Sequence, residues 1–121
     1  IALMIAKKGA IENIEEILSV EGVDMIQFGP CDYSISIGKD FNPNHPEVMA
    51  AEKKAIKTAL DKGVRPRTEL GWNWTEKRLN YMLDLGVKDF CNGFEPSLLY
   101  EWVKENNSKV REILMRRLTR K

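Results

Sequence analysis

One short stretch concentrates groups that could do chemistry. Phe28-Gly29-Pro30-Cys31-Asp32-Tyr33-Ser34 offers backbone N–H groups at Gly29 and Cys31, a carboxylate at Asp32 and a hydroxyl at Ser34. Backbone donors suit a substrate carboxylate, because they hold an anion without ordering a mobile side chain. Asp32 suits a hard divalent cation. The same residues also have a purely structural reading, in which Gly-Pro makes a turn and Asp32 caps a short helix. The pattern alone leaves both open.

Other positions carry paired readings of the same kind. Arg65, Arg67 and Glu69 alternate, so on a strand they share one face, as substrate contacts or as an internal salt-bridge layer. Trp72 and Trp74 fit the mouth of a pocket or the cover of the following helix. Cys31 and Cys91 fit a soft metal or two small buried hydrophobes. His45, the only histidine, reads as a surface residue ahead of a helix. The last residues, Lys109 to Lys121, hold six basic side chains against Glu112. A solvated helix face with cations at its C-terminus explains them better than a nucleic-acid arm.

Alternating strands and helices must position these groups. Ile1 to Ala6 is a continuous apolar run, suited to a strand buried on both faces. Residues 10–20 carry one helical stripe with Ala10, Ile14, Ile17 and Leu18. Asp24 to Phe28 reads as a second strand, and 31–45 as loop-rich. Pro46 opens a helix through Leu60, capped by the residue before it. A third strand spans Arg65 to Leu70, with Pro66 confined to its start. A helix follows from Thr75 to Leu85, then a strand at 88–93. Pro96 opens a further helix, which Asn106-Asn107-Ser108 interrupts to cap a last one. Gly-Val recurs at Gly22, Gly63 and Gly86, where a helix ends on glycine and valine begins the next strand. Residues 1–121 therefore read as one α/β domain of four parallel βα units. That is half of a (β/α)₈ barrel, which takes roughly 250 residues, or a small open sheet.

Composition removes several classes. With 19 basic and 18 acidic residues, the chain has no overall field to draw nucleic acid. No apolar run approaches the roughly 20 residues of a membrane span. Two cysteines build neither a disulfide framework nor a zinc cluster, which makes a reducing, cytoplasmic home the default. The chain opens at Ile1 inside an apolar run, as a fragment of a longer protein would.

Several motifs, kept in order, resemble the HpcH/HpaI family. They are Ala10-x-x-Asn13-x-x-Glu16-Ile17, Val20-x-Gly22-Val23-Asp24, Phe28-Gly29-Pro30-x-Asp32-Tyr33-Ser34-x-Ser36-x-Gly38 and His45-Pro46-Glu47-Val48. Gly63-Val64-Arg65-Pro66-Arg67-x-Glu69 and Gly86-Val87-x-x-Phe90-Cys91-x-Gly93 look like one branch of it. The resemblance implies strands five to eight, the C-terminal half, of a TIM barrel of the phosphoenolpyruvate/pyruvate type. It implies a metal-dependent pyruvate aldolase that cleaves 4-hydroxy-2-oxo acids such as 4-hydroxy-2-oxoheptane-1,7-dioate. A divalent ion, Mg²⁺ or Mn²⁺, would stabilise the enolate. Asp32 would be one metal ligand, and Gly29, Pro30 and Cys31 would receive the pyruvate carboxylate.

The sequence departs from that pattern twice. The family's second metal carboxylate, a Glu before the basic pair, is Ala6 here, so metal binding should be weak or absent. The family's catalytic Arg and its His-based acid/base group belong to the first half of the barrel. No residue of this chain is therefore assigned as catalytic, and the chain alone should be inactive. A half-barrel that only folds and associates is the other reading. Either way, open sheet edges predict a homo-oligomer, with exchange of the last helix as one route.

Overall fold

The computed structural model describes residues 1–70 and 75–119. Four strands alternate with helices: β1 (Ala2–Ile5), β2 (Met25–Phe28), β3 (Arg65–Glu69) and β4 (Asp89–Cys91). They form one sheet in the order β1-β2-β3-β4, and every pairing is parallel. Between them run α1 (Lys8–Glu12), α2 (Ile14–Ile17), α3 (Pro30–Ser36), α4 (Pro46–Asp61) and α5 (Glu76–Asp84), and α6 (Glu95–Leu118) follows β4.

Helices α1 to α5 cover one face of the sheet. Ile5, Ile26, Phe28, Pro66 and Thr68 point into that layer and are buried. There they meet Ile14 of α2 and Val48 and Ala55 of α4. The alternate residues face the other way. Met4 is 58% exposed, although the apolar run predicts a strand buried on both sides. Among the described residues the Met4 side of β1 is left uncovered. A parallel sheet needs both faces covered.

The glycine punctuation works as the sequence predicts. Gly63 and Gly86 take φ of 72° and 96°. In each case the following valine N–H reaches back to the helix, Val64 to the Ala59 carbonyl at 2.9 Å and Val87 to the Met82 carbonyl at 3.0 Å. That is the left-handed helix stop, and both valines then enter the core. His45 caps α4 through Nδ1, which accepts from the Glu47 N–H at 3.2 Å, with Pro46 in the first turn.

Three local expectations fail at residues whose side chains bond nearby carbonyls. The stripe over 10–20 is two short helices, not one. They part at Asn13, whose Nδ2 donates to the Gly9 carbonyl at 2.8 Å. The loop-rich stretch begins with a helix, α3, in which the Ser34 and Ser36 hydroxyls fold back onto carbonyls three residues earlier. Asn106 and Ser108 do not break the last helix. They donate to the Trp102 and Lys104 carbonyls, four residues back, and α6 continues unbroken for 24 residues. Trp72 and Trp74 lie outside the described residues.

A single buried charge ties α4 to α5. Glu52 is buried, and its Oε1 accepts from Arg78 at 2.6 Å. Arg78 also lies over the Tyr81 ring, 5.8 Å from its centroid. Arg78→Ala should cost about 2–3 kcal/mol in urea unfolding, because it strands a buried carboxylate. The figure sits at the low end for such pairs because the Arg78 side chain is 34% exposed. Glu52→Gln, which keeps an acceptor for the arginine, should cost about 1 kcal/mol.

Candidate functional site

The candidate site forms where β2 ends and α3 begins. The parallel ladder runs one residue past β2, and the Gly29 N–H donates to the Ile5 carbonyl at 2.9 Å. This corrects the expectation of a free amide at Gly29. The Gly29 carbonyl accepts from the Tyr33 N–H at 2.9 Å, which starts α3. Pro30 fills the first helical position, where no amide hydrogen is needed. The next two amides, of Cys31 and Asp32, have no backbone acceptor among the described residues. They are the unpaired donors of a helix start, directed at the carboxyl end of the sheet. Asp32 lies in the first turn and makes no side-chain capping bond, so its carboxylate is not spent on the helix.

Space at the turn is set by Gly29. A Cβ at this position would meet the Ala6 Cβ at 3.3 Å, Asp32 Oδ2 at 3.3 Å and Met4 Sδ at 3.4 Å. Ala6 and Asp32 therefore both border the space that Gly29 leaves open. The groups that meet there are a carboxylate, a methyl and a thioether. That set does not fit a hard divalent cation, which takes oxygen ligands. Among the described residues, no three His, Cys, Asp or Glu side chains gather to hold a metal.

The remaining predicted groups sort themselves clearly. Ser34 is buried and its hydroxyl donates to the Cys31 carbonyl at 2.7 Å, so it serves the helix rather than a ligand. Tyr33 is anchored in the core against Phe28, with ring centroids 5.3 Å apart. The Lys8 N–H donates to Ser36 Oγ at 3.1 Å and ties the start of α1 to the end of α3. Arg65, Arg67 and Glu69 do share one face of β3, the open one. Arg65 pairs with Asp89 at 3.8 Å. Glu69 Oε2 accepts from Gln27 Nε2 at 3.4 Å. Gln27 escaped the sequence reading, although its place two residues before Gly29 puts it on the same face of β2 as the turn. Burial pushes the Cys31 thiol pKa up, with the Asp32 and Glu69 carboxylates adding to the effect.

A parallel sheet with helices on one face and its free donors at the strand ends belongs to the barrel class of α/β proteins, of which this chain forms half. Solved structures agree. The chain superposes on the citrate synthase SbnG with a TM-score of 0.80 and 20% identity, covering 92% of this chain and 44% of that one. With an HpcH/HpaI aldolase from Desulfitobacterium hafniense the TM-score is 0.77 and the identity 24%, over 92% of this chain and 42% of that one. Residues 1–71 match the HpcH/HpaI aldolase/citrate lyase family model, and the chain belongs to that family. Among curated relatives, a 4-hydroxy-2-oxo-heptane-1,7-dioate aldolase of Escherichia coli is 35% identical over 99 residues, 82% of this chain and 37% of the relative. One of Klebsiella pneumoniae is 34% identical over the same length. The chain thus spans well under half the length of the curated relatives it matches.

Two measurements check the site. Ala6→Glu puts a second carboxylate beside Asp32 and should tighten Mn²⁺ binding at least tenfold in calorimetry, from a weak starting value. Equal affinities would remove position 6 from the site. The raised Cys31 pKa leaves less thiolate at any pH below it, so at pH 8 iodoacetamide should label Cys31 more slowly than a free cysteine. Labelling should accelerate as pH rises, and earlier in Glu69→Gln, as followed by peptide mass spectrometry.

Proposed function

We propose that this chain is the 2-oxo-acid-binding half of an aldolase, a carbon–carbon lyase for 4-hydroxy-2-oxo acids that releases pyruvate and an aldehyde. The observation that carries this is the turn Gly29-Pro30-Cys31-Asp32. The Cys31 and Asp32 amides receive the carboxylate of the 2-oxo acid, Gly29 keeps the space open, and Pro30 fixes the helix start. A compound such as 4-hydroxy-2-oxoheptane-1,7-dioate, the substrate in the names of the matched relatives, is the natural first trial. Among the described residues the turn offers a divalent metal, Mg²⁺ or Mn²⁺, only Asp32, so its binding to this chain is weak or absent. The alternative, a half-barrel that folds and associates without chemistry, draws on the same Ala6 methyl.

By itself this chain does not turn over. The described residues offer the turn no histidine and no paired acid and base, and a positioned proton-transfer group is worth about 10²–10⁴-fold. The chain associates with copies of itself through α6, whose Leu98, Trp102, Val110 and Leu114 lie exposed. A chain with two cysteines and no disulfide framework suits a reducing, cytoplasmic setting. Among the described residues no helix is long and apolar enough to cross a membrane.

Pyruvate release from 4-hydroxy-2-oxoheptane-1,7-dioate, read with a coupled dehydrogenase, should stay below detection for the 121-residue chain, with Mn²⁺ and with Ala6→Glu. Adding the complementary half of a related aldolase barrel to the Ala6→Glu chain should restore turnover. Turnover by the unmodified chain would overturn the missing-group argument. Silence of the reassembled barrel would sink the aldolase reading. Light scattering should find a dimer or larger assembly at micromolar concentration, and Trp102→Glu should shift it toward monomer.

A further inference from the structure

The junction between β4 and α6 carries a reactive pair that the candidate site does not use. Of the eight asparagines in the chain, only Asn92 is followed by glycine. We propose that Asn92-Gly93 is a self-modification site: the Gly93 amide closes on the Asn92 side chain, expels ammonia and leaves an aspartyl or isoaspartyl residue between β4 and α6.

The chemistry balances with water alone. The Gly93 backbone nitrogen attacks Asn92 Cγ, and an N–Cγ bond forms. The Cγ–Nδ2 bond breaks, and ammonia departs with the proton that the amide gives up. The product is a five-membered imide, which water opens at either carbonyl. Breaking the new N–Cγ bond gives aspartate. Breaking the original peptide bond gives isoaspartate, whose main chain runs through the side-chain carbons. Closure needs an amide free of other bonds, access to water, and a following residue without a side chain to obstruct the ring.

The fold meets each condition at Asn92. This residue is exposed and lies just past the end of β4. The β3–β4 ladder ends with the Leu70 N–H donating to the Cys91 carbonyl at 3.0 Å. One more parallel rung would tie the Gly93 N–H to the Leu70 carbonyl. That rung is not made. Gly93 turns to φ 89°, and its N–H has no acceptor among the described residues. Its carbonyl accepts from the Cys91 thiol at 3.3 Å, so the turn is held while the amide stays open.

The other described asparagines each lack a condition. Asn42 precedes Pro43, which has no amide hydrogen. Asn44 precedes His45, whose N–H donates to the Asn42 carbonyl at 3.2 Å. Asn13 precedes the branched Ile14, and its Nδ2 is bound to the Gly9 carbonyl. Asn80, Asn106 and Asn107 lie inside helices, where the amides that follow are bonded to the preceding turn.

The place of the change gives it a structural effect. The Ser97 and Leu98 N–H groups donate to the Phe94 carbonyl at 3.1 and 3.2 Å, which opens α6. Leu98 also packs on Gly93, with its Cδ2 3.7 Å from where a Cβ would stand. An extra main-chain carbon at position 92 shifts Gly93 and Phe94 relative to β4, so the isoaspartyl product loosens the first turn of α6.

The test incubates the 121-residue chain at pH 8 and follows each asparagine by peptide mass spectrometry, with isoaspartate counted by enzymatic methylation. Native Asn92 should convert about tenfold faster than native Asn107, which precedes serine inside α6. In urea Asn107 should accelerate, while Asn92 keeps its rate within about threefold because the fold already leaves it open. Gly93→Ala should slow conversion about tenfold, and Asn92→Gln, which enlarges the ring to be closed, should stop it. In the isoaspartyl fraction the Ser97 and Leu98 amides should exchange hydrogen faster than in the unmodified chain. Conversion of native Asn92 no faster than that of Asn107 overturns the proposal. So does acceleration of Asn92 in urea to the extent seen for Asn107, because the fold would then be closing the amide. Unchanged exchange at Ser97 and Leu98 overturns the loosening of α6.

Discussion

The hydrogen bond from the Gly29 amide to the Ile5 carbonyl is the last rung of the β1–β2 ladder, and the candidate site depends on it. A parallel strand pair can exchange hydrogen bonds only in register, so this rung fixes where β2 stops relative to β1. The residue that stops it has no side chain. Because of that, the Ala6 methyl, the Met4 sulfur and the Asp32 carboxylate can all close to within 3.4 Å of the same point. The Gly29 carbonyl then turns outward to start α3, and Pro30 holds the first turn. One residue thus ends a strand, starts a helix and clears a space. The two unpaired amides of Cys31 and Asp32 are a direct result, because a helix start always leaves donors without partners.

The rest of the fold holds that rung in place. The buried face of β2, Ile26 and Phe28, packs on α2 and α4, and Tyr33 brings α3 down onto Phe28. Lys8 and Ser36 link the start of α1 to the end of α3. The Glu52–Arg78 pair then fastens α5 to α4. The turn is therefore braced from the helix side by apolar packing and from its flank by the hydrogen bond between α1 and α3. A site placed on a loop gains precision when the elements around it are locked in this way.

Much of this was legible in the residues. Gly-Val at 63–64 and 86–87 encodes a left-handed helix stop followed by a buried strand start, and no other local structure satisfies both residues so well. Pro46 after a capping residue and Pro66 near a strand start were equally direct, because proline allows few places. The family resemblance singled out Asp32 and the methyl at position 6, and both border the turn. What could not be read were the outcomes of competition. Asn13 ends a helix and Asn106 continues one, though each donates its side-chain amide to the carbonyl four residues earlier. Asn13 stands where the chain must bend to cover the sheet, while Asn106 lies on an unpacked helix with nothing to bend for. The use of the Gly29 amide was also hidden, since it is set by the register of a strand more than twenty residues away. Gln27 and Glu69, forty-two residues apart, meet only once the sheet order is known.

The open face explains why the chain is half of something. Its side chains grade from apolar on β1 and β2, with Met4 and Met25, to charged on β3 and β4, with Arg65, Arg67, Glu69 and Asp89. Water presently screens the Arg65–Asp89 pair at 3.8 Å, and an exposed pair of that kind contributes little. Covering the face would change both sides of the gradient. The apolar side would gain burial, and the charged side would lose hydration that Arg67 and Glu69 must recover from partners. Glu69 already has Gln27, while Arg67 has no ion pair among the described residues. A complementary half therefore has to bring an acceptor to the level of Arg67 and apolar groups to the level of Met4. An isolated sheet that buried only hydrophobic residues would place no such demand. The polar layer makes closure selective for a partner that matches it, and it keeps the charge of Glu69 at the rim, where the candidate site opens.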